Sequence, residues 1–245
     1  MYDYLIYTLI AFILSILFSM GGTGSGIALI PVLNFFGVEF IIAKATGLFA
    51  GASTTITSSV MNIKRKTLDF SFVWPIALMM LIFAPIGAYS SQFINESLVK
   101  FLFMLLLFYS ATMMIFGKKR SLMKTNSKSI LFYTGATVGF LAGLLGVGGG
   151  NILMPLLILL GFEPKKVAIA VSSVVPFAAL SSFLTYASYV KLDYVLLLCV
   201  MLASIAGGYI GNYLMHFKLD QKKTKKLMGL ILYLLALKML YIFIA

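Results

Sequence analysis

Charge is scarce in this 245-residue chain: Asp, Glu, Lys and Arg make up 11% of it, against 61% hydrophobic residues and a mean hydropathy of +1.05. A soluble domain carries about 25% charged residues, so this chain has too little polar surface to cover its apolar content in water. Metal ligands and nucleophiles are equally sparse. There is one cysteine and one histidine. Cys199 lies inside an apolar run, which excludes a disulfide framework or a cysteine metal site and fits a small buried hydrophobe. His216 sits in a basic loop. No carboxylate pair, metal-ligand cluster, nucleophile triad or Walker loop occurs, so an intramembrane hydrolase, an ATP-driven pump and a bound cofactor all lack support. The N-terminus also lacks the basic segment and small-residue cleavage site of a signal peptide. The first apolar run is therefore expected to stay in the mature protein.

What is present is length without charge. Residues 4–36, 45–63, 70–95, 101–117, 129–162, 167–190 and 194–217 hold no charged side chain. About 20 apolar residues cross the hydrocarbon core as a helix, so most of these runs read as spans. The fold class expected is an all-α polytopic membrane protein. The net charge of +12 does not indicate nucleic acid, because the basic residues stand in the breaks between runs. Lys64, Arg65 and Lys66 form one group, and Lys118, Lys119, Arg120, Lys124 and Lys128 a second. Lys165 and Lys166 form a third, and Lys218, Lys222, Lys223, Lys225 and Lys226 a fourth, together 15 of the 19 Lys and Arg residues. Basic loops belong on the cytoplasmic side. That places 36–43 and 92–97, which carry Glu39 and Glu96 and no basic residue, on the other side.

The chain repeats itself. At an offset of 124, Gly22, Gly24 and Gly26 fall on Gly146, Gly148 and Gly150. Pro31 falls on Pro155, Gly37 on Gly161, Glu39 on Glu163, and Leu68-Asp69-Phe70 on Leu192-Asp193-Tyr194 at the same offset. The organisation expected is a first transmembrane repeat over 1–117, a basic cytoplasmic linker over 118–129 and a second repeat over 130–245. Each repeat reads as a glycine-broken helical hairpin followed by three spans, near 42–62, 71–93 and 97–117, and near 166–189, 193–215 and 226–245. With all four basic loops on one side, the first hairpin returns to the outside at Gly37 and the second to the inside at Gly161. The repeats are then inverted, an arrangement found in many secondary transporters.

The glycine breaks, Gly-Gly-Thr-Gly-Ser-Gly at 21–26 and Gly-Val-Gly-Gly-Gly at 146–150, carry the chemistry expected of the chain. Irregular backbone at membrane depth is tolerated where protein buries it or where it lines a cavity. Its amides, at the start of a short helix, favour an anion. Close helix packing through small residues accounts for the same glycines without any ligand. Hydroxyls crowd the next span of each half: Thr46, Ser53, Thr54, Thr55, Thr57, Ser58 and Ser59 with Asn62, and Ser172, Ser173, Ser181, Ser182 and Thr185. They suit a polar path, or bonds to their own and neighbouring helices. The substrate-binding residues expected are Gly22, Thr23, Gly24, Ser25, Asn34, Thr46, Gly148, Gly149, Gly150, Asn151, Ser172 and Ser173. Lys44 and Lys100 read as anchors at span ends. Lys238 reads as a snorkelling residue or a counter-charge, and Asp69 and Asp193 as helix caps or proton-coupling groups.

The stretch Gly-Leu-Leu-Gly-Val-Gly-Gly-Gly-Asn-Ile-Leu-Met-Pro-Leu-Leu-Ile-Leu-Leu-Gly (143–161), with its copy ending Ile-Pro-Val-Leu-Asn-Phe-Phe-Gly (30–37), resembles the TauE/SafE sulfite-exporter family, also called TSUP permeases. The likeness covers nearly the whole chain. The first copy departs from the second by placing Thr23 and Ser25 where Val147 and Gly149 stand. Where the family has an Ala-Thr-Ser-like stretch, this chain reads Ala45-Thr46-Gly47 and Ala170-Val171-Ser172. The resemblance implies a multi-pass protein of the cell membrane that moves a small sulfur-containing anion such as sulfite, thiosulfate or sulfoacetate. Its partners are then that anion, the lipid bilayer and a coupling ion, proton or sodium, with an oligomer compatible and no nucleic acid. An anion-selective pore and a non-transporting membrane scaffold are the competing readings.

Overall fold

The computed structural model describes residues 2–117, 128–217 and 221–244, with backbone alone at 2, 128, 164–165, 216–217, 221–223 and 244. Lys118, Lys119, Arg120 and Lys124 of the basic linker and Lys218 of the last basic loop lie outside the described residues. In chain order the helices are α1 (Tyr2–Met20), α2 (Gly26–Phe35), α3 (Phe40–Lys64), α4 (Phe70–Ser90), α5 (Glu96–Phe116), α6 (Lys128–Leu145), α7 (Gly150–Leu159), α8 (Pro164–Ala187), α9 (Tyr194–Phe217) and α10 (Gln221–Ile244), with a 3₁₀ turn at Ser91–Phe93. No strand occurs among the described residues. Seven of these helices, all but α2, α6 and α7, are long and apolar enough to cross a membrane. The protein is an all-α polytopic membrane protein.

The hairpin reading of 1–37 follows from which residues meet. Ser19 Oγ lies 2.9 Å from Ser58 Oγ, and Thr54 Oγ1 donates to Ser15 Oγ at 3.2 Å. Both pairs differ by 39 in number, so α1 and α3 run parallel. Beyond the glycine loop, Ser25 Oγ comes back to Ser15 (2.9 Å) and Thr54 (3.1 Å). Further along, Gly26 lies against Gly47 and Gly51, and Ile30 against Gly47. The chain therefore reverses at the loop, and α2 returns alongside α3 in the opposite direction. Gly37, with φ +90°, then makes the turn into α3.

The two halves contact each other reciprocally. α1 packs chiefly on α9, and α6 chiefly on α4. α1 and α9 are parallel, joined by Tyr4 to Asp193 (2.8 Å), Ser15 to Ser204 (3.2 Å) and Ser19 to the Gly208 carbonyl (2.9 Å), all separated by 189 in number. At the centre α3 crosses α8 in the antiparallel sense. Ser59 and Asn62 bond Ser172 at 2.7 and 3.0 Å, while Phe49 stacks on Phe183 with ring centroids 4.7 Å apart. α5 and α10 are antiparallel as well, through Thr112–Tyr233 at 2.6 Å and Phe101–Phe243 at 6.1 Å.

Glycines set how closely these helices approach. Gly207 and Gly211 of α9 face the backbone of Phe12 and Ile16, and Gly143 of α6 faces the carbonyl of Ala84. A β-carbon at 143 has no room beside that carbonyl. Overpacking costs about 1–3 kcal/mol, so Gly143→Val is expected to lower the thermal unfolding midpoint in detergent. An unchanged midpoint would contradict this α4–α6 contact.

Asp69 and Asp193 are caps. Their carboxylates accept the Phe72 and Leu196 amides at 3.3 and 3.0 Å. Lys166, 2.7 Å from Asp69, and the Ser71 hydroxyl hold the Asp69 carboxyl down at about 2.

Candidate functional site

The two glycine loops meet at the α3–α8 crossing. A β-carbon on Gly150 would stand 2.7 Å from the Thr23 carbonyl oxygen, so the loops touch backbone to backbone. Their surroundings repeat at an offset of 124. Gly24 lies against Gly51 and Thr55 of α3, and Gly148 against Val175 and Ala179 of α8. Gly22 faces Ala168 on the other repeat's helix, and Gly146 faces Lys44. Gly22, Gly24, Gly146, Gly148 and Gly149 have φ between +69° and +84°, a region that side chains disfavour. Left-handed residues next to right-handed ones are what anion-binding nests of backbone amides are built from. The loops differ at one residue: Gly149 is left-handed (φ +84°), while Ser25 is right-handed (φ −81°).

The amides themselves are unspent. In the first loop the donors of Gly21, Gly22 and Thr23 close turns onto Phe18 and Ser19, and Ala28 and Leu29 donate to Ser25. Among the described residues the N–H groups of Gly24, Ser25, Gly26 and Ile27 have no acceptor. In the second loop Gly146 and Val147 donate to Gly143 and Ala142, and Ile152 and Leu153 donate to Gly149. The N–H groups of Gly148, Gly149, Gly150 and Asn151 are again left over, each 124 residues from its counterpart. Neither short helix has a side-chain cap.

Side chains beside these amides are unspent too. Thr23 is 2% exposed and Asn151 1% exposed, and the Thr23 hydroxyl and both polar atoms of the Asn151 amide are buried without a partner. Buried polar groups are nearly always bonded, so this concentration at one place calls for an explanation. Thr46 and Ser182 also hold buried hydroxyls without partners.

The other expected residues divide. Ser25 is spoken for, with its hydroxyl between Ser15 and Thr54. Ser172 donates to the Ile169 carbonyl and accepts from Asn62 (3.0 Å), and Ser173 bonds back to Ile169. Thr54, Thr55, Thr57, Ser58 and Ser59 bond back to their own helix. Asn34 stands away from the loops, at the far end of α2, where its amide donates to the Val38 carbonyl at 3.0 Å and closes the Gly37 turn.

Lys44 does not sit at an interface as an anchor. It is 3% exposed, and its ammonium donates to Ser91 Oγ at 2.7 Å and lies 4.8 Å from the Tyr186 ring centroid. Its position, only five residues into α3, gave the sequence no sign of this depth, because Gly146 and Tyr186 come from the other half. Tyr186 was not expected either. It is fully buried, and its hydroxyl donates to the Gly143 and Leu144 carbonyls at 3.0 and 3.1 Å, sealing the end of α6. Lys238 is exposed, with its ammonium 4.4 Å from the Phe35 ring centroid. No group of three His, Cys, Asp or Glu residues able to hold a metal occurs among the described residues.

A glycine-looped, duplicated chain with this arrangement has known relatives. The profile described as Sulfite exporter TauE/SafE matches residues 7–239. The chain belongs to the TauE/SafE family. Two relatives in this transporter family are each named a probable membrane transporter protein. One, from Methanocaldococcus jannaschii, is 29% identical over 192 residues, covering 73% of this chain and 70% of the relative. The other, YunE from Bacillus subtilis, is 28% identical over 261 residues, covering 91% and 92%. No solved structure matches the chain. Family and fold together make it a multi-pass membrane transporter, and the TauE/SafE motif residues 143–161 are those that build the second loop and α7.

Proposed function

We propose that the protein is a secondary transporter of a small anion, a sulfur oxyanion or organosulfonate such as sulfite, thiosulfate or sulfoacetate, bound where the two glycine loops meet. One observation carries the reading: two equivalent sets of four amides without an acceptor among the described residues, Gly24–Ile27 and Gly148–Asn151, stand on loops that touch backbone to backbone, beside the unpartnered Thr23 hydroxyl and Asn151 amide. A tetrahedral or pyramidal oxyanion accepts from many donors at once. The amides carry the positive ends of α2 and α7, which favour negative charge. In this reading Gly22, Gly146 and Gly149 shape the nests, and Thr46, Ser172 and Ser173 border the path.

The antiparallel α3–α8 and α5–α10 pairs support two inverted repeats, 1–117 and 130–245, related about an axis in the membrane plane. The basic loops then face the cytoplasm and the Gly37 turn faces outward. Alternating access comes from rocking one repeat on the other, coupled to a proton or sodium gradient. The loops are packed on each other, which favours a carrier over an open pore.

Purified protein in liposomes is expected to show saturable counterflow of labelled thiosulfate, competed by sulfite and sulfoacetate. Non-saturating flux would indicate a pore. Thermal stabilisation by an amine or a sugar, with none by these anions, would reject the anion reading.

A further inference from the structure

We propose that Lys44 is the counter-charge of the second glycine loop, a buried cation that the transported anion meets on the side of that loop nearer the Ser91 turn. This rests on the anion reading above.

Its contacts are those of a cation kept available. A β-carbon on Gly146 would lie 2.8–3.0 Å from the Lys44 stem, so the side chain is laid directly along the loop. The ammonium is held by neutral groups only: the Ser91 hydroxyl at 2.7 Å, and the Tyr186 and Phe40 rings at 4.8 and 5.5 Å. Ring faces attract a cation without cancelling its charge. One of its three donors is used, and two remain. Among the described residues no carboxylate comes within ion-pair distance of it, because Glu96 is taken by Lys100 at 2.7 Å. An ionisable group in a membrane span faces a pathway or a partner as a rule, and Glu96, whose charge acts on Lys44, makes its ion pair with Lys100 instead.

Symmetry separates this role from packing. The contacts of α3 and α8 with the loops correspond at an offset of 124, although the sequence match slips by one residue at Ala43 and Ala45, and the counterpart of Lys44, against Gly22, is Ala168. Tyr186 corresponds in the same way to Asn62, which bonds Ser172. The inner position equivalent to Lys44 is the small, neutral Ala168, where the outer one carries a cation. A filler would serve equally on both sides, and the fold accepts alanine at one of them. Outward from Lys44, the Lys100 ammonium lies 5.5 Å from the same Phe40 ring, with its side chain 32% exposed. The Lys100–Glu96 pair thus lies between Lys44 and the surface on this side.

The test is thiosulfate counterflow in proteoliposomes with Lys44→Met, Lys44→Gln and Lys44→Arg, each checked for folding by its melting temperature in detergent. Lys44→Met and Lys44→Gln are expected to raise the KM for thiosulfate at least tenfold, and Lys44→Arg to stay within threefold of the unsubstituted protein. The glutamine variant keeps a donor for Ser91, so it isolates the charge if the methionine variant fails to fold. A KM within twofold for the glutamine variant would overturn the proposal, as would equal defects in the arginine and glutamine variants. Lack of binding of thiosulfate, sulfite and sulfoacetate by the unsubstituted protein would instead overturn the anion reading, and this proposal with it.

Discussion

Asn151→Asp is expected to abolish binding of thiosulfate and sulfite, and Asn151→Leu to weaken it by about a hundredfold. Hydrogen bonds to charged groups contribute about 1.5–3 kcal/mol each, and about 1.4 kcal/mol is a factor of ten. The leucine variant loses the Asn151 amide donors, whereas the aspartate adds a negative charge where an anion must sit. The effect on stability is expected to run the other way. Both polar atoms of the Asn151 side chain are buried without a protein partner among the described residues, and each such group costs about 1–3 kcal/mol. Asn151→Leu, close in volume, is therefore expected to melt at the same temperature as the unsubstituted protein or higher, while losing the stabilisation that thiosulfate confers. A purely structural asparagine would give the opposite pair of results. Calorimetric titration and melting with and without thiosulfate measure both quantities, and unchanged affinity in the leucine variant would sink the assignment. Thr23→Val, nearly isosteric, is expected to follow the same pattern with about a tenfold loss.

Composition and spacing went far toward the architecture because lipid leaves few options. Runs such as 70–95 can only be helices there, and glycines matched at an offset of 124 mark the two loops. The hydroxyl bands were equally visible, but their use was not. Thr54, Ser58 and Ser25 form cross-helix bonds that the sequence gives no means to distinguish from a substrate path, whereas the Thr23 and Thr46 hydroxyls have no partner among the described residues. Asn34 looked like a companion of Asn151, yet α2 reverses direction, so its far end lies near Tyr7, whose hydroxyl donates to the Phe36 carbonyl at 3.3 Å. Lys44 was hidden for a related reason. Depth along α3 can be counted from the sequence, but its burial comes from the Ser91 turn, α8 and the loop at Gly146, all distant in the chain. What a helix offers is local; what covers it is not.

Gly150→Val is expected to reduce thiosulfate counterflow to background, and Gly150→Ala to reduce it at least tenfold, with the protein still folded. Different glycines incur different penalties on gaining a side chain. Gly150 begins α7 with no positive φ, so a side chain there meets no backbone strain, only neighbours. Those neighbours are the Thr23 carbonyl oxygen at 2.7 Å, Val175 Cγ2 at 3.0 Å and Thr23 Cα at 3.1 Å. Two of the three are backbone of the opposite loop, which moves only if the loops part. Gly37 is the inverse case: its φ is +90° and nothing lies within 4 Å of an added β-carbon. Gly37→Ala incurs left-handed strain of about 1–2 kcal/mol and touches no loop. It is expected to lower the melting temperature slightly while leaving counterflow within twofold. If transport required only that the chain be folded, the two alanine variants would rank by stability alone. If transport requires the loops to close on each other around an anion, Gly150→Ala is the worse transporter whatever the order of their melting temperatures. Counterflow at the unsubstituted rate in Gly150→Val would show the Thr23–Gly150 contact to be packing with no part in transport.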